Sequence, residues 1–256
     1  MLLVASLFWI SVSIVLILMP LFGIDQKIVG GYSIIIQIIS AMMAAFICFG
    51  TAGYFSSSHN LRKVWRLLGM GVLAWGIGAV LYSTYPLFNG GQETPYPWYS
   101  DIGYLLLYPP MLMGFIILKQ HFKGKIPLYG VIVAVIVFLA AFIIAIALNV
   151  DKLSQASTIT TYLVTLIYMF FDPMLLGATA LIVSILGANA EARPWWVVSV
   201  GILLLYLGNL IYTYLVLIEV YVSGHFVDIA WVLGFGFFGI AALVARGTAK
   251  TKDIMH

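Results

Sequence analysis

Long apolar runs alternate with short polar punctuation along the whole chain. A helix needs about 20 apolar residues to cross the hydrocarbon core of a bilayer. Eight runs reach that length: Leu2–Leu21, Tyr32–Gly53, Leu67–Leu87, Ile102–Leu118, Leu128–Leu148, Thr158–Leu186, Trp195–Tyr221 and Val227–Ala245. Each predicts a transmembrane helix. Strands of a membrane β-barrel would need apolar and polar residues in alternation, which runs of this length do not show. The first run begins at the N-terminus with no basic leader and no small-residue cleavage site, so it reads as a retained span.

Composition agrees. Of 256 residues, 63% are hydrophobic and 8% charged, against roughly 25% charged in an ordinary soluble domain. A soluble globular fold and a disordered chain are both excluded, the latter because disorder needs low hydrophobicity and high charge. The expected class is an all-α polytopic membrane protein with about eight transmembrane helices. The single cysteine, Cys48, lies inside an apolar run. It excludes an intrachain disulfide and reads as a small buried hydrophobe.

The positions of the charges add a topology. Arg62, Lys63, Arg66, Lys119, Lys123, Lys125, Arg193, Arg246, Lys250 and Lys252 all fall on one side of an eight-span arrangement, and only Lys27 and Lys152 on the other. The second side carries Asp25, Glu93, Asp101, Asp151, Glu219 and Asp228. The positive-inside rule puts the basic side, and with it both termini, in the cytoplasm.

An internal repeat emerges from the rarer residues. At an offset of 130, Lys63-Val-Trp65 answers Arg193-Pro-Trp195, Gly71 answers Gly201, Gly78 answers Gly208, and Tyr82-Ser83 answers Tyr212-Thr213. At an offset of 127, Asp101-Ile102 answers Asp228-Ile229, Tyr104 answers Trp231, and Tyr108 answers Phe235. Spans one and two show no convincing match to five and six. The expected organisation is two parallel four-helix halves, residues 1–127 and 128–246, related by a pseudo-twofold axis along the membrane normal, with a short cytoplasmic tail at 247–256.

The polar residues within or beside spans are the candidates for chemistry. The stretch from Asn89 to Asp101, with Gly90-Gly91, Pro95 and Pro97, cannot be helical. Its aromatics Tyr96, Trp98 and Tyr99 serve either as an interface anchor or as a lid over a pocket. Asp101 and Asp228 open the fourth and eighth spans. They either stabilise helix N-termini or flank a shared outer cavity for a cationic or hydroxyl-rich ligand. Asp172 sits near the middle of span six and Asn209 at a similar depth in span seven, within hydrogen-bonding expectation of each other. An intramembrane carboxyl is by default a functional hypothesis; the bland reading is a protonated acid that joins helices. Pro173 follows it and predicts a kink. Tyr82 and Tyr212 occupy matched repeat positions near the outer face. The candidate ligand-binding residues are therefore Asp101, Asp228, Asp172, Asn209, Tyr104, Trp231, Tyr82 and Tyr212. Glu219 reads as a rim residue.

Other chemistries lack their residues. No lysine lies at mid-membrane for a retinal Schiff base. His59, His121, His225 and His256 lie outside the spans, away from any membrane haem. His225 and Asp228 form only a two-ligand pair, no zinc-protease or nucleophile-elbow motif is present, and one deep acid is too few for an aspartyl intramembrane protease. No catalytic constellation, no metal site, no nucleic-acid partner and no particular cofactor are expected.

The stretch Pro95-x-Pro97-x-x-x-Asp101-x-x-Tyr104-Leu-x-x-Tyr108-Pro109 and its counterparts Leu207-Gly-Asn209 and Asp228-Ile-Ala-Trp231 resemble a poorly characterised multi-span module. That module stands at the N-terminus of many archaeal and bacterial sensor histidine kinases and diguanylate cyclases. The resemblance covers about residues 60–245. It implies a prokaryotic plasma-membrane sensor that relays to a cytoplasmic partner, with Asp101, Tyr104, Asn209, Asp228 and Trp231 as sensing residues. The chain runs about ten residues beyond its last span. The expectation is either a truncated sensor or a stand-alone relative acting through a signalling protein or a homodimer. Besides the bilayer, a small outer or intramembrane molecule is the expected partner. A small proton-coupled transporter using Asp172 is the alternative, and a lipid-modifying enzyme has least support because no nucleophile–base pair is visible.

Overall fold

A computed structural model describes residues 1–122, 126–154, 158–187 and 191–254, the side chains of residues 152 and 248–254 excepted. Among the described residues nine helices follow in order: α1 (Leu2–Leu21), α2 (Gln26–Ala52), α3 (Asn60–Phe88), α4 (Ser100–Leu105), α5 (Tyr108–His121), α6 (Leu128–Leu153), α7 (Ile159–Leu186), α8 (Arg193–Leu217) and α9 (Asp228–Ile254). No strand occurs among the described residues. With α4 and α5 taken together, eight segments are long and apolar enough to cross a membrane. The chain is an all-α polytopic membrane protein.

Several helices outrun their apolar cores because polar turns extend them at the ends. Asp25 caps α2 through Lys27 N at 2.8 Å, and His59 Nδ1 caps α3 through Leu61 N at 3.2 Å. Such side-chain acceptors satisfy N–H groups that have no intrahelical partner. Span seven, expected to reach Tyr221, ends at Leu217. Glu219 lies beyond it at φ 57°, so it belongs to a turn and not to the rim of a helix.

The span that is interrupted is the fourth, not the one that carries Pro173. The α7 helix continues through Pro173, whereas the fourth span breaks between α4 and α5. Pro109 and Pro110 remove two successive N–H donors, so the carbonyls of Leu105 and Leu106 lose their helical partners. Leu107 N turns back to Tyr104 O at 3.2 Å, a tighter closure than the α-helical one. Gly71 packs against this break: a Cβ there would stand 2.8 Å from Leu107 O.

The order of packing is interleaved. Within each half, neighbouring helices pack in sequence, α2 on α3, α3 on α4 and α5, α6 on α7 and α8 on α9. Across the halves, α2 packs on α9 and α5 packs on α7. The residues matched in sequence make matching contacts. A Cβ on Gly78 would lie 2.8 Å from the Tyr104 ring, and one on Gly208 would lie 3.0 Å from Trp231 Nε1. Gly71 faces Leu107 and Met111 as Gly201 faces Gly234 and Phe238. Small residues here let helix backbones approach, which in lipid replaces the hydrophobic drive for association. Trp65 and Trp195 stack on each other at the basic end, 5.2 Å between centroids and 21° between planes.

The outermost helices differ. In the first half, Trp9 of α1 is buried against Gly236 and Gly239 of α9. In the second half, a groove of about 750 Å³ lies between α5, α6 and α7, lined by Phe115, Phe138 and Gly177 among others.

Candidate ligand-binding site

Among the described residues three carboxyl groups are buried in the bundle: Asp228 is 0% exposed, Asp101 and Asp172 each 6%. A buried charge is costly unless hydrogen bonds satisfy it. Each of the three is met by donors, and the elements supplying them explain the local fold.

Asp101, in the first turn of α4, reaches back to Trp98 N at 2.8 Å and accepts the Tyr168 hydroxyl of α7 at 2.8 Å. Asp228, at the start of α9, reaches back to Gly224 N at 2.8 Å. It also accepts Ser33 Oγ of α2 at 2.5 Å and the Tyr221 hydroxyl at 3.0 Å. The plan is the same in both places. An aspartate opening a helix ties down the preceding loop and binds a hydroxyl from the second span of the other half. Ser33 and Gln37 stand four apart on α2, as Tyr168 and Asp172 do on α7. This correspondence between spans two and six, at an offset of 135, is absent from the sequence comparison because only the spacing survives.

Asp172 and Asn209 meet as expected. Asn209 Nδ2 lies 3.1 Å from both carboxylate oxygens, and the Tyr108 hydroxyl donates to Oδ1 at 2.8 Å. Trp231 Nε1 donates to Asn209 Oδ1 at 2.8 Å, which fixes the amide orientation. A continuous chain of bonds thus runs from α9 through α8 to α7 and back to α5.

Above Asp172 lies a cavity of about 40 Å³, space for a few water molecules. Trp75, Tyr82 and Tyr104 line it from the first half, and Asn209, Tyr212 and Trp231 from the second. The rings touch one another: Trp75 is 4.9 Å from Tyr104, and Tyr212 is 5.3 Å from Trp231 and 4.7 Å from Tyr221. Edge-to-face and tilted pairs of this kind hold ring orientation. Two smaller voids of about 10 Å³ each, bordered by Asp172, Asn209 and Tyr168, continue towards the middle of the bundle.

The loop from 89 to 99 packs against two residues of the cavity wall, Tyr82 and Tyr212. Thr94 Oγ1 donates to Tyr82 O at 2.8 Å, and Tyr96 packs edge-on against Tyr212 while its hydroxyl pairs with Thr165 at 3.0 Å. Burial pushes the Tyr96 phenol above its ordinary value, so it remains protonated. Glu93 accepts Ser223 Oγ at 3.0 Å, which joins this loop to the one between α8 and α9. Tyr96 touches the wall residue Tyr212 without lining the cavity itself, and Tyr99 is 65% exposed.

Five candidates from the sequence, Tyr82, Tyr104, Asn209, Tyr212 and Trp231, line the main cavity. Asp101 and Asp228 do not; they stand behind Tyr168 and Tyr221, whose rings do line it. Asp172 borders only the smaller voids. The physical reason is that each aspartate is consumed by loop and helix donors. Trp75, Thr213, Tyr221 and Gln37 also form the wall. Of these, Gln37 stands out in the sequence as a polar residue within a span and Thr213 as the repeat partner of Ser83.

No protein-family model matches the chain, and neither the curated proteins nor the solved structures contain a match to it.

Proposed function

We propose that the chain is a membrane-embedded sensory module in which a small molecule occupies the aromatic cavity and alters the packing of two four-helix halves. The observation that carries this reading is the composition of the wall. Both halves contribute equivalent residues, Tyr82 with Tyr212 and Tyr104 with Trp231. Anything that binds there is in contact with both halves and feels their separation. The matched glycine contacts, the matched aspartate ties and the Trp65–Trp195 stack support a duplicated origin and a pseudo-twofold axis through the cavity.

At about 40 Å³ the cavity is far below the few hundred Å³ of an ordinary ligand pocket. A larger molecule enters only by moving the walls, so occupancy and rearrangement are coupled. The basic end carries the readout. There Trp65 and Trp195 join α3 to α8, and Arg246 of α9 binds Thr51 Oγ1 and Ile47 O of α2, each at 2.7 Å. A cytoplasmic signalling protein, or a second copy of the chain, would read the spacing of these helices.

A wedge in the cavity tests this reading. Ala79→Phe or Thr213→Phe fills the space in place of a ligand. Amide exchange followed by mass spectrometry should then accelerate in the first turns of α3 and α8, far from the substitution. A response confined to the cavity walls overturns the proposal.

A transport reading draws on one observation, the succession of cavity, voids and Asp172 from the loop side to mid-bundle. It requires a path onward to the basic end, where Leu68, Met111, Ile202 and Phe238 are all fully or almost fully buried. Proton flux in proteoliposomes that disappears in Asp172→Asn would favour transport over sensing.

A further inference from the structure

We infer that the aromatic cavity takes a small organic cation, a primary or methylated ammonium; this rests on the reading of the cavity as the ligand site.

The argument starts from charge. Asp101 and Asp228 stand behind the wall residues Tyr168 and Tyr221, Asp172 bonds to the wall residue Asn209, and Glu93 bonds to Ser223 in the loop that also holds Tyr221. The three buried carboxyls are met by the hydroxyls of Tyr168, Tyr108, Ser33 and Tyr221, the Asn209 amide, and the N–H groups of Trp98 and Gly224. A carboxyl oxygen accepts such bonds whether or not the group is ionised. Among the described residues no lysine, arginine or histidine lines the cavity, and none bonds to these three groups. A buried carboxyl without a positive partner is costly to ionise, and a cation entering beside it supplies that missing partner.

The walls specify which cation. Trp75, Trp231 and the tyrosines turn a continuous aromatic surface to the space. The negative faces of aromatic rings attract ammonium groups, most strongly when water is excluded. A metal ion would instead need several converging oxygens at short range. Two polar side chains remain unused at the wall. Gln37 is 8% exposed and its amide donates to Ser33, leaving Oε1 without a hydrogen-bond partner among the described residues. Thr213 is 4% exposed, and its hydroxyl likewise has none. The Gln37 oxygen and the Thr213 hydroxyl are acceptors for the N–H groups of a primary ammonium, and the rings suit its methyl groups.

The probes are methylammonium and tetramethylammonium, with acetate and sodium chloride at equal ionic strength as controls. The full chain is studied in detergent or nanodiscs. Trp75 and Trp231 report through intrinsic fluorescence. Saturable binding of either ammonium is expected, with neither control having any effect. Tyr104→Phe, which keeps the ring, should retain tetramethylammonium binding. Asp228→Asn and Trp75→Leu should each weaken it by about tenfold or more. Gln37→Lys supplies a tethered ammonium and should abolish binding of the free one. If that variant fails to fold, Gln37→Glu should tighten binding instead. Saturable binding of acetate, or of a neutral amide such as acetamide, with no response to either ammonium overturns the cation inference while leaving the cavity as a ligand site. Absence of binding by all of these, in a protein whose Ala79→Phe variant also leaves distant exchange unchanged, overturns both readings.

Discussion

Tyr168 donates its hydroxyl to Asp101 across the boundary between the two halves, at 2.8 Å, and Ser33 does the same for Asp228 at 2.5 Å. Each bond joins the second span of one half to the fourth span of the other. Buried hydrogen bonds of this kind contribute about 0.5–3 kcal/mol, the upper end applying when the carboxyl is ionised. Tyr168→Phe and Ser33→Ala should each lower stability by that order. In a double-mutant cycle with Asp101→Asn or Asp228→Asn the losses should be strongly non-additive within a pair and near-additive between pairs. Thermal unfolding of the purified protein measures this.

The glycines on α3 and α8 give a second prediction. A Cβ at Gly78 would approach Ser100 O to 2.7 Å, with both groups in helices or at their start. Gly78→Ala forces the break in span four away from α3 and should destabilise by about 1–3 kcal/mol. Gly31→Ala, with nothing within 4 Å, should be neutral or slightly stabilising because alanine is the better helix former. Unfolding temperatures of the two variants, compared side by side, check the difference.

Arg246 offers a test at the basic end. Its guanidinium lies 2.6 Å from where a Cβ on Gly50 would stand, and over the Tyr54 ring at 5.2 Å. Gly50→Ala should expel the side chain and break its bonds to Thr51 and Ile47. Arg246→Ala removes the same bonds without a clash, so Gly50→Ala should cost little in the Arg246→Ala background. That recovery distinguishes a displaced clamp from general damage to α2.

The stacked tryptophans predict a shared loss. Trp65→Ala and Trp195→Ala each empty a buried site, at about 3–5 kcal/mol, and Trp65 is 0% exposed. The double variant should lose less than the sum, because the ring of one forms the contact of the other. Trp65→Phe should retain most of the stability. Unfolding curves for the single and double variants decide the matter.

Much of this was legible in the sequence. Eight spans follow from the length of apolar runs, and the pairs Gly71 with Gly201 and Gly78 with Gly208 correspond in contact as well as in spacing. Tyr82, Tyr104, Tyr212, Asn209 and Trp231 were visible as polar or aromatic residues at matched positions. What the sequence does not disclose is who faces whom. For Asp101 and Asp228 the sequence leaves helix-end stabilisation and a cavity flank open, because no pattern reveals that Tyr168 and Tyr221 stand in front of them. The Ser33–Gln37 and Tyr168–Asp172 correspondence shares spacing without shared residue types. Pro173 carries the stronger kink signal beside an acid, yet the double proline at 109–110 breaks its span because two successive donors are lost.

The most direct test of the account measures whether occupancy of the cavity moves the basic end. Arg66 and Arg193 are exposed beside the stacked Trp65 and Trp195. Spin labels at Arg66→Cys and Arg193→Cys, in a Cys48→Ala background, report the distance between α3 and α8 by pulsed electron resonance. The account predicts that saturating tetramethylammonium shifts the distance distribution, that Ala79→Phe shifts it without any cation, and that Asp228→Asn blunts the cation's effect. A distribution that stays unchanged while the cation demonstrably fills the cavity would contradict the claim that this site drives the two halves.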